Sequence, residues 1–465
     1  MPTQDARAAR PIPPLDTLRN QIAIGADSMM FTIGMYFMPI TTVMSALAAG
    51  FTDNKTLIGL ISLAWYVGWL APQLWAARLV RGKERMRRYA LLPAALSRPI
   101  ILLLALWLWI DRGASPLLSV WLIILGVTVF TASDGVTATA GWDMIGRALS
   151  PRVRSRVLTV NSFLAAIGGL GAGLVVERVL ASDLPFPLNY AVLLATAFVF
   201  YMLALLFMAM IEERPAGMEE GRQTVDGGRQ TADGQGLSSV VGGPSSERGF
   251  LAHLLHSVRS DAMLRRTLAA RLLVGIENMA AAFYVVYSRE QLKLPESAVG
   301  VFSIAIVVGG LIGIAAFGWL AMRFGARRVL QTANVMQFAA PLLALGVALS
   351  GIGGTAAYAV MVVVLGLNGA INRSSQLGYF TYTQESAAEI DRPMYMGAVN
   401  SIGGVAALMP LLGGLLIDGL QRSGAAAVAF PAVFALAGAA AFAGVAISLR
   451  LPALSHFSGG TSGNQ

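Results

Sequence analysis

Five charged residues stand inside stretches of sequence that are otherwise apolar: Asp27, Arg98, Asp134, Glu277 and Arg373. Asp27 and Glu277 share a local setting, Gly25-Ala-Asp27-Ser28-Met29 and Gly275-Ile-Glu277-Asn278-Met279. A carboxyl carried into a low-dielectric interior is a group that can take up and release a proton, so both are candidates for coupling proton flow to another process. Asp134 is a third. Arg98, followed by Pro99, lies too deep in its stretch to reach water with its side chain, which suits it to bind an anion or pair with a carboxylate. Arg271 stands near the end of its stretch and is expected to extend to the interface. Asp134 and Arg373 are separated by 239 positions, an interval that recurs elsewhere in the chain. Opposite charges at such matched positions could hold the two ends of a zwitterion, or could form an ion pair that breaks as the molecule moves. The remaining candidates for binding a solute are polar: Asn278, Tyr284, and the run Asn368, Asn372 and Gln376 around Arg373. Consecutive polar residues on an apolar helix indicate a hydrated cavity or a local break, or else bonding between helices.

The elements that must position these side chains follow from composition. Of 465 residues, 56% are apolar and 13% charged, with a mean hydropathy of +0.65. A soluble domain is about 25% charged, and burying this much apolar surface would leave too little polar surface to cover it. The chain therefore reads as an all-α polytopic membrane protein. Windows of about 19 residues place twelve spans near 20–47, 57–79, 89–110, 117–141, 157–180, 189–211, 267–288, 297–321, 329–349, 356–379, 396–420 and 427–449. Of the 34 Lys and Arg residues, 25 fall in segments on the side of the two termini, six on the opposite side and three within spans. By the positive-inside rule both termini are cytoplasmic and the setting is the cytoplasmic membrane.

The organisation expected is a cytoplasmic tail (1–19), a first six-helix half (20–211), a flexible cytoplasmic linker (212–248), an amphipathic interfacial helix (249–263), a second six-helix half (264–450) and a cytoplasmic tail (451–465). The N-terminal residues lack the apolar core and cleavage site of a signal peptide. The linker holds a duplication, Gly221-Arg-Gln-Thr-Val-Asp-Gly227 and Gly228-Arg-Gln-Thr-Ala-Asp-Gly234, which is either a docking tract or, on composition, plain low-complexity chain. Phe250, Leu251, Leu254, Leu255 and Val258 recur at helical spacing after it. Cysteine is absent, and His253, His256 and His456 lie outside the spans, so neither a metal site nor a cofactor is expected. Phosphate-loop, zinc-protease and nucleophile-triad motifs are missing, which excludes an ATPase and gives no sign of an enzyme. The surplus of nine positive charges belongs to orientation rather than to nucleic acid.

The halves repeat. Besides the pair around Asp27 and Glu277, Gly59 and Gly68 match Gly300 and Gly309, and Val160-Asn161-Ser162 matches Val399-Asn400-Ser401. Six-plus-six parallel repeats form a known transporter architecture, with the solute near the midplane and access alternating as the halves rock. Gly318-Trp-Leu-Ala-Met-Arg323-Phe324-Gly325-Ala-Arg327-Arg328, between spans 8 and 9, resembles the loop signature of the major facilitator superfamily, and the stretch Phe283-Tyr284 to Val299-Gly300 is similar to members of that family. The signature residues here are Gly318, Arg323, Gly325, Arg327 and Arg328. The resemblance implies two pseudo-symmetric six-helix halves, with spans 1 and 7 lining a central cavity that Asp27 and Glu277 face. The acid of the signature is replaced by Met322 in the second half and by Val80 in the first, so the latch that acid provides in the family is not expected. The function expected is a monomeric secondary transporter in the lipid bilayer, moving a small organic molecule by alternating access with protons as the coupled ion. The competing reading is a non-transporting scaffold or sensor on the same fold, with its buried charges locked in static pairs. No repeated filter segment suggests a channel.

Overall fold

The computed structural model describes residues 15–80, 83–214, 257–386 and 392–452, with the side chains of 74, 151, 372–377, 392–393 and 400 outside that description. The apolar stretches become helices because hydrocarbon offers the backbone no other hydrogen-bond partner. Span 1 is Leu18–Phe37, a π-helical turn Ile40–Met44 and Ser45–Phe51. Spans 2 to 6 are Lys55–Val80, Arg87–Asp111, Pro116–Ala148, Pro151–Leu180 and Leu188–Ala209. Span 7 is broken into Ala262–Gly275, Asn278–Ala281 and Tyr284–Glu290. Span 10 is Gly354–Ser386. Span 11 is Arg392–Val405, a 3₁₀ turn Ala406–Leu408 and Met409–Arg422, and span 12 is Ala426–Leu449.

Spans 8 and 9 form one helical run of 53 residues, Ala298–Ser350, where a loop was expected. A straight helix of that length would reach about 80 Å, more than twice the hydrocarbon thickness. The run is interrupted at Gly325, where φ is 75° and ψ is 171°. Such a conformation is accessible to a residue without Cβ. The loop signature is thus a joint of a single residue. Several other helices outrun their predicted ends on the side of the termini, span 4 reaching Ala148 and span 5 beginning at Pro151. Hydropathy marks only the part in hydrocarbon, whereas helical hydrogen bonding continues into water. In span 4 the extension is aided by an ion pair one turn apart, Asp143 with Arg147 at 2.7 Å.

The last helix of each half is capped in the same way. At the end of span 6, Arg19 donates to Met210 O (3.1 Å) and Arg87 to Ala209 O. At the end of span 12, Arg266 donates to Arg450 O (3.2 Å) and Arg327 to Leu449 O (3.3 Å). In both halves the cations come from the beginnings of the first and third spans, and they meet the negative end of the helix dipole. Arg327 of the signature is therefore a helix cap, while Arg323 stacks between Trp319 and Phe324, 5.7 Å from each ring. Met322, in the place of the missing acid, is exposed.

On the face opposite the termini, the halves meet at two matched crossings. A Cβ on Gly59 would fall on Pro410 O, and one on Gly414 on Lys55 O, so spans 2 and 11 touch backbone to backbone. A Cβ on Gly300 would fall on the backbone of Glu177, and one on Gly173 on Ile304, which brings spans 5 and 8 equally close. Small residues at helix crossings let apolar helices gain contact without a hydrophobic drive between them. Gly300→Val is expected to force this crossing apart and lower the thermal unfolding midpoint in detergent, at a cost of about 1–3 kcal/mol. Gly318→Ala on the same run meets nothing within 4 Å and is expected to be neutral or stabilising. Equal effects of the two changes would refute the crossing.

Candidate functional site

A cavity of about 490 Å³ lies in the seam between the halves. Span 2 contributes Tyr66, Trp69 and Gln73, span 7 contributes Arg271, Glu277 and Asn278, and span 9 contributes Gln337. Glu277 is 1% exposed and sits at the first break in span 7. There the ladder tightens to i−3 bonds, Ile276 N to Leu273 O and Glu277 N to Val274 O. The Asn278 amide donates to Gly275 O at 3.0 Å. A side chain thus replaces part of the lost ladder, and the break is held open. The Glu277 carboxylate accepts a hydrogen bond from the Tyr284 hydroxyl (3.1 Å) and another from Asn368. Its partners are neutral donors, and it forms no ion pair among the described residues.

Arg271 neither neutralises Glu277 nor extends to the interface. Its guanidinium lies 4.7 Å over the ring of Tyr379, whose hydroxyl is bonded by Asn334 at 3.1 Å. Close approach of span 11 is allowed by Gly403, where a Cβ would lie 3.1 Å from Arg271 Nη2. One wall of the cavity therefore carries a cation on an aromatic face, and another carries a hydrogen-bonded carboxylate.

In the first half, Asp27, Arg98 and Asp134 from spans 1, 3 and 4 lie within reach of one another's charge. Arg98 is 2% exposed, donates to Tyr201 O at 2.7 Å and lies 5.6 Å over Phe31. Trp69, whose indole bears on the charge of Asp134, also lines the central cavity, so this cluster adjoins the seam. Asp27 is buried and its Oδ1 has no hydrogen-bond partner. Arg98 forms no ion pair with either carboxylate among the described residues, and its charge reaches both through space. The comparison of Asp134 with Arg373 gains nothing here, because the side chains of Asn372, Arg373 and Gln376 lie outside the described residues. The duplicated linker and the three histidines also lie outside, as does most of the expected interfacial helix. Val258 is described, and the first helix of span 7 begins at Ala262 with Asp261 as its N-cap. Asn161 packs against Gly25 and donates to its own helix at Val157 O (2.7 Å), a structural role.

The face opposite the termini is closed by polar contacts between the halves that sequence reading missed. Asp418 accepts from Lys55 N (2.9 Å), Thr56 N (2.8 Å) and the Thr56 hydroxyl (2.6 Å). An acid of span 11 thereby caps the beginning of span 2. Lys55, 1% exposed, pairs with Glu290 at 2.7 Å. Glu296 gathers the Tyr190 hydroxyl (3.0 Å), the Asn189 amide (3.1 Å) and Arg289 (3.2 Å). Thr42 and Ser303 share a hydrogen bond of 2.9 Å. One signal was available: Asp418 falls inside the predicted eleventh span, where a charge needs a partner. The others stand in loops and look like ordinary surface charge.

No family model and no curated protein matches the sequence, whereas solved structures match over nearly the whole chain. A bacterial homologue of the iron transporter ferroportin in its inward-facing state is 12% identical, with a TM-score of 0.68 over 94% of this chain and 99% of that one. The same kind of homologue in the outward-facing state gives 0.53 at 15% identity, over 94% and 99%. The fold is that of the major facilitator transporters. A point mutant of the nucleoside transporter NupG matches with a TM-score of 0.66 at 11% identity over 92% and 99%. A D-xylose–proton symporter matches at 0.63 and 13% identity over 91% and 96%.

Arg98 is the cation between two carboxylates in low dielectric. Arg98→Met is expected to leave both uncompensated and destabilise the protein by about 3–5 kcal/mol. Asp27→Asn in the same chain should restore part of that loss. Thermal unfolding of the three variants in detergent checks both; an unchanged midpoint for Arg98→Met would rule the charge cluster out as a structural unit.

Proposed function

We propose that the chain is a secondary transporter that moves a small organic solute through the seam by alternating access, with protons coupled through Glu277. The observation that carries this reading is the cavity, open space at mid-seam where Glu277 is held by neutral donors while the opposite face is sealed. A scaffold would lock its buried charges into static pairs and have no use for such a space. Asp27 Oδ1 stands without a hydrogen bond, and Glu277 lines the cavity wall. The excess of Lys and Arg on the face of the termini supports a cytoplasmic placement for it, which makes the arrangement inward-facing. The solved relatives in fold include carriers named for a pentose, for nucleosides and for iron, so the fold leaves solute class to the cavity. Among the described residues its lining offers one carboxylate, one guanidinium, amides and aromatic faces, a set suited to a small polar or zwitterionic organic molecule with a ring or apolar body.

Tyr284 and Asn368 can donate to Glu277 only while it keeps an acceptor oxygen, which both the anion and the neutral acid possess. The carboxyl can therefore change protonation without losing its orientation. A Gln at this position mimics the neutral acid. A thermal-shift panel of pentoses, nucleosides and amino acids identifies a stabilising solute, which is then followed in proteoliposomes. Glu277→Gln is expected to abolish accumulation driven by a pH gradient while retaining exchange of labelled against unlabelled solute. Undiminished gradient-driven accumulation in that variant would sink proton coupling through Glu277.

Rocking requires the sealed face to open. The chain has no cysteine, so a Thr42→Cys, Ser303→Cys pair can be introduced on a clean background. The two hydroxyls are 2.9 Å apart, close enough for sulfur atoms to approach bonding distance. Oxidation is expected to arrest transport of the same solute, and reduction to restore it. Full transport by a protein shown to be cross-linked would exclude opening of this face from the cycle.

A further inference from the structure

Outside the seam, a groove of about 550 Å³ lies on the flank of the first half, its described lining drawn from spans 2, 3 and 4. Pro72 of span 2 and Pro93 of span 3 stand inside their helices and line it. Each removes a ladder bond from its helix, and spans 2 and 3 both pack on span 4 rather than on each other, which leaves the groove between them. Trp75, Leu92 and Leu96 line the groove and are 61%, 61% and 69% exposed, so its walls face the surroundings of the protein at membrane depth. The groove runs along span 3 from Arg88 to Ser97. At about 1.5 Å per residue this is about 14 Å, close to half of the ~30 Å hydrocarbon core and hence one leaflet.

Its mouth is basic. Arg88 lines it with the guanidinium 4.7 Å over the Tyr89 ring and Nη2 donating to the Tyr89 hydroxyl at 2.6 Å. Arg85 and Arg88 border an adjoining hollow of about 330 Å³. Arg87, which borders the same hollow, is occupied in capping span 6. Arg85 is exposed and has no protein partner among the described residues. An apolar slot one leaflet deep below two cations matches an amphiphile with an anionic head. It does not match a small polar solute, which would leave the slot unfilled, or a free inorganic anion, which would use only the mouth.

We propose that this groove is a binding site for an anionic phospholipid, with the phosphate on Arg85 and Arg88 and an acyl chain between spans 2, 3 and 4. The site is separate from the seam and does not depend on the transport reading. It would tie the packing of spans 2 and 3 on span 4 to the composition of the leaflet on the side of the termini.

The test titrates the purified full-length protein in neutral detergent with phosphatidylglycerol, phosphatidylcholine or inorganic phosphate and follows the thermal unfolding midpoint. Phosphatidylglycerol alone is expected to raise it saturably. An R85Q/R88Q double variant is expected to weaken that response about tenfold or more, and Ala132→Trp, which fills the slot, to weaken it similarly. An R152Q/R156Q variant removes two cations from the same face away from the groove and is expected to respond as the unaltered protein does. Equal stabilisation by phosphatidylcholine, reproduction by phosphate, or an equal loss in R152Q/R156Q would overturn the proposal. Should the groove variants fail to fold, phosphatidylglycerol brominated on its acyl chain reads the site in the unaltered protein. Saturable quenching of tryptophan fluorescence that is lost in Trp75→Phe supports the site, and quenching unchanged by Trp75→Phe overturns it.

Discussion

The carboxylate of Asp418 leaves span 11 to accept three hydrogen bonds at the beginning of span 2, and much of the described arrangement depends on that reach. The first turn of any helix carries N–H groups with no partner of their own. Here the first two, Lys55 N and Thr56 N, are satisfied by the other half of the molecule, while Leu57 N is bonded by Asn54 of the same half. Closing this face and completing span 2 are consequently one event. When the halves separate, water can take over both the N–H groups and the acid, so the exchange is nearly balanced in hydrogen bonds. A closure held in this way is firm while formed and cheap to release. Lys55 extends the same logic, since its backbone N–H meets Asp418 while its ammonium meets Glu290.

Around that contact the two glycine crossings set how near the halves can come. Spans 2 and 11 meet at Gly59 and Gly414, and spans 5 and 8 meet at Gly173 and Gly300. Each pair of spans exchanges a glycine from one half with a glycine from the other, which is what a pseudo-twofold axis along the membrane normal requires. The arginine caps on spans 6 and 12 obey the same symmetry at the opposite face. Symmetric crossings at one face and symmetric caps at the other leave the middle of the seam as the place where the halves can differ.

How much of this was legible in the sequence varies with the range of the interaction. Twelve spans were readable because hydropathy is a local sum, and the repeat was readable because Gly59 and Gly300 keep their register. The break around Gly325 was readable from the arginines beside it, but not that it is a joint of one residue rather than a loop, since hydropathy does not report how the backbone turns. Asp27 and Glu277 stood out by cost alone, as did Arg98. Tyr284 and Asn368 stood out as polar residues in apolar stretches, but their pairing with Glu277 did not, because they come to it from different elements and nothing local distinguishes the amide of Asn368 from a helix-to-helix hydrogen bonder. The polar closure around Asp418, Lys55 and Glu296 was the least visible part, because each residue stands near a span end, where a charge is unremarkable until its partner in the other half is known.

The two carboxylates that the repeat places in equivalent positions are treated differently by their surroundings. Asp27 has Arg98 and Asp134 within reach of its charge and lacks a hydrogen bond on Oδ1. Glu277 has hydroxyl and amide donors and no ion pair among the described residues. A nearby cation and neutral hydrogen-bond donors both favour the anion, so each acid is steadied against the cost of burial, one by charge and the other by hydroxyl and amide donors. The symmetry that supplied two acids has thus been broken by the chemistry around them, one set in a charge cluster and the other facing the cavity with neutral partners. The divergence sets Asp27 within the electrostatic frame of the first half and Glu277 at the wall of the cavity.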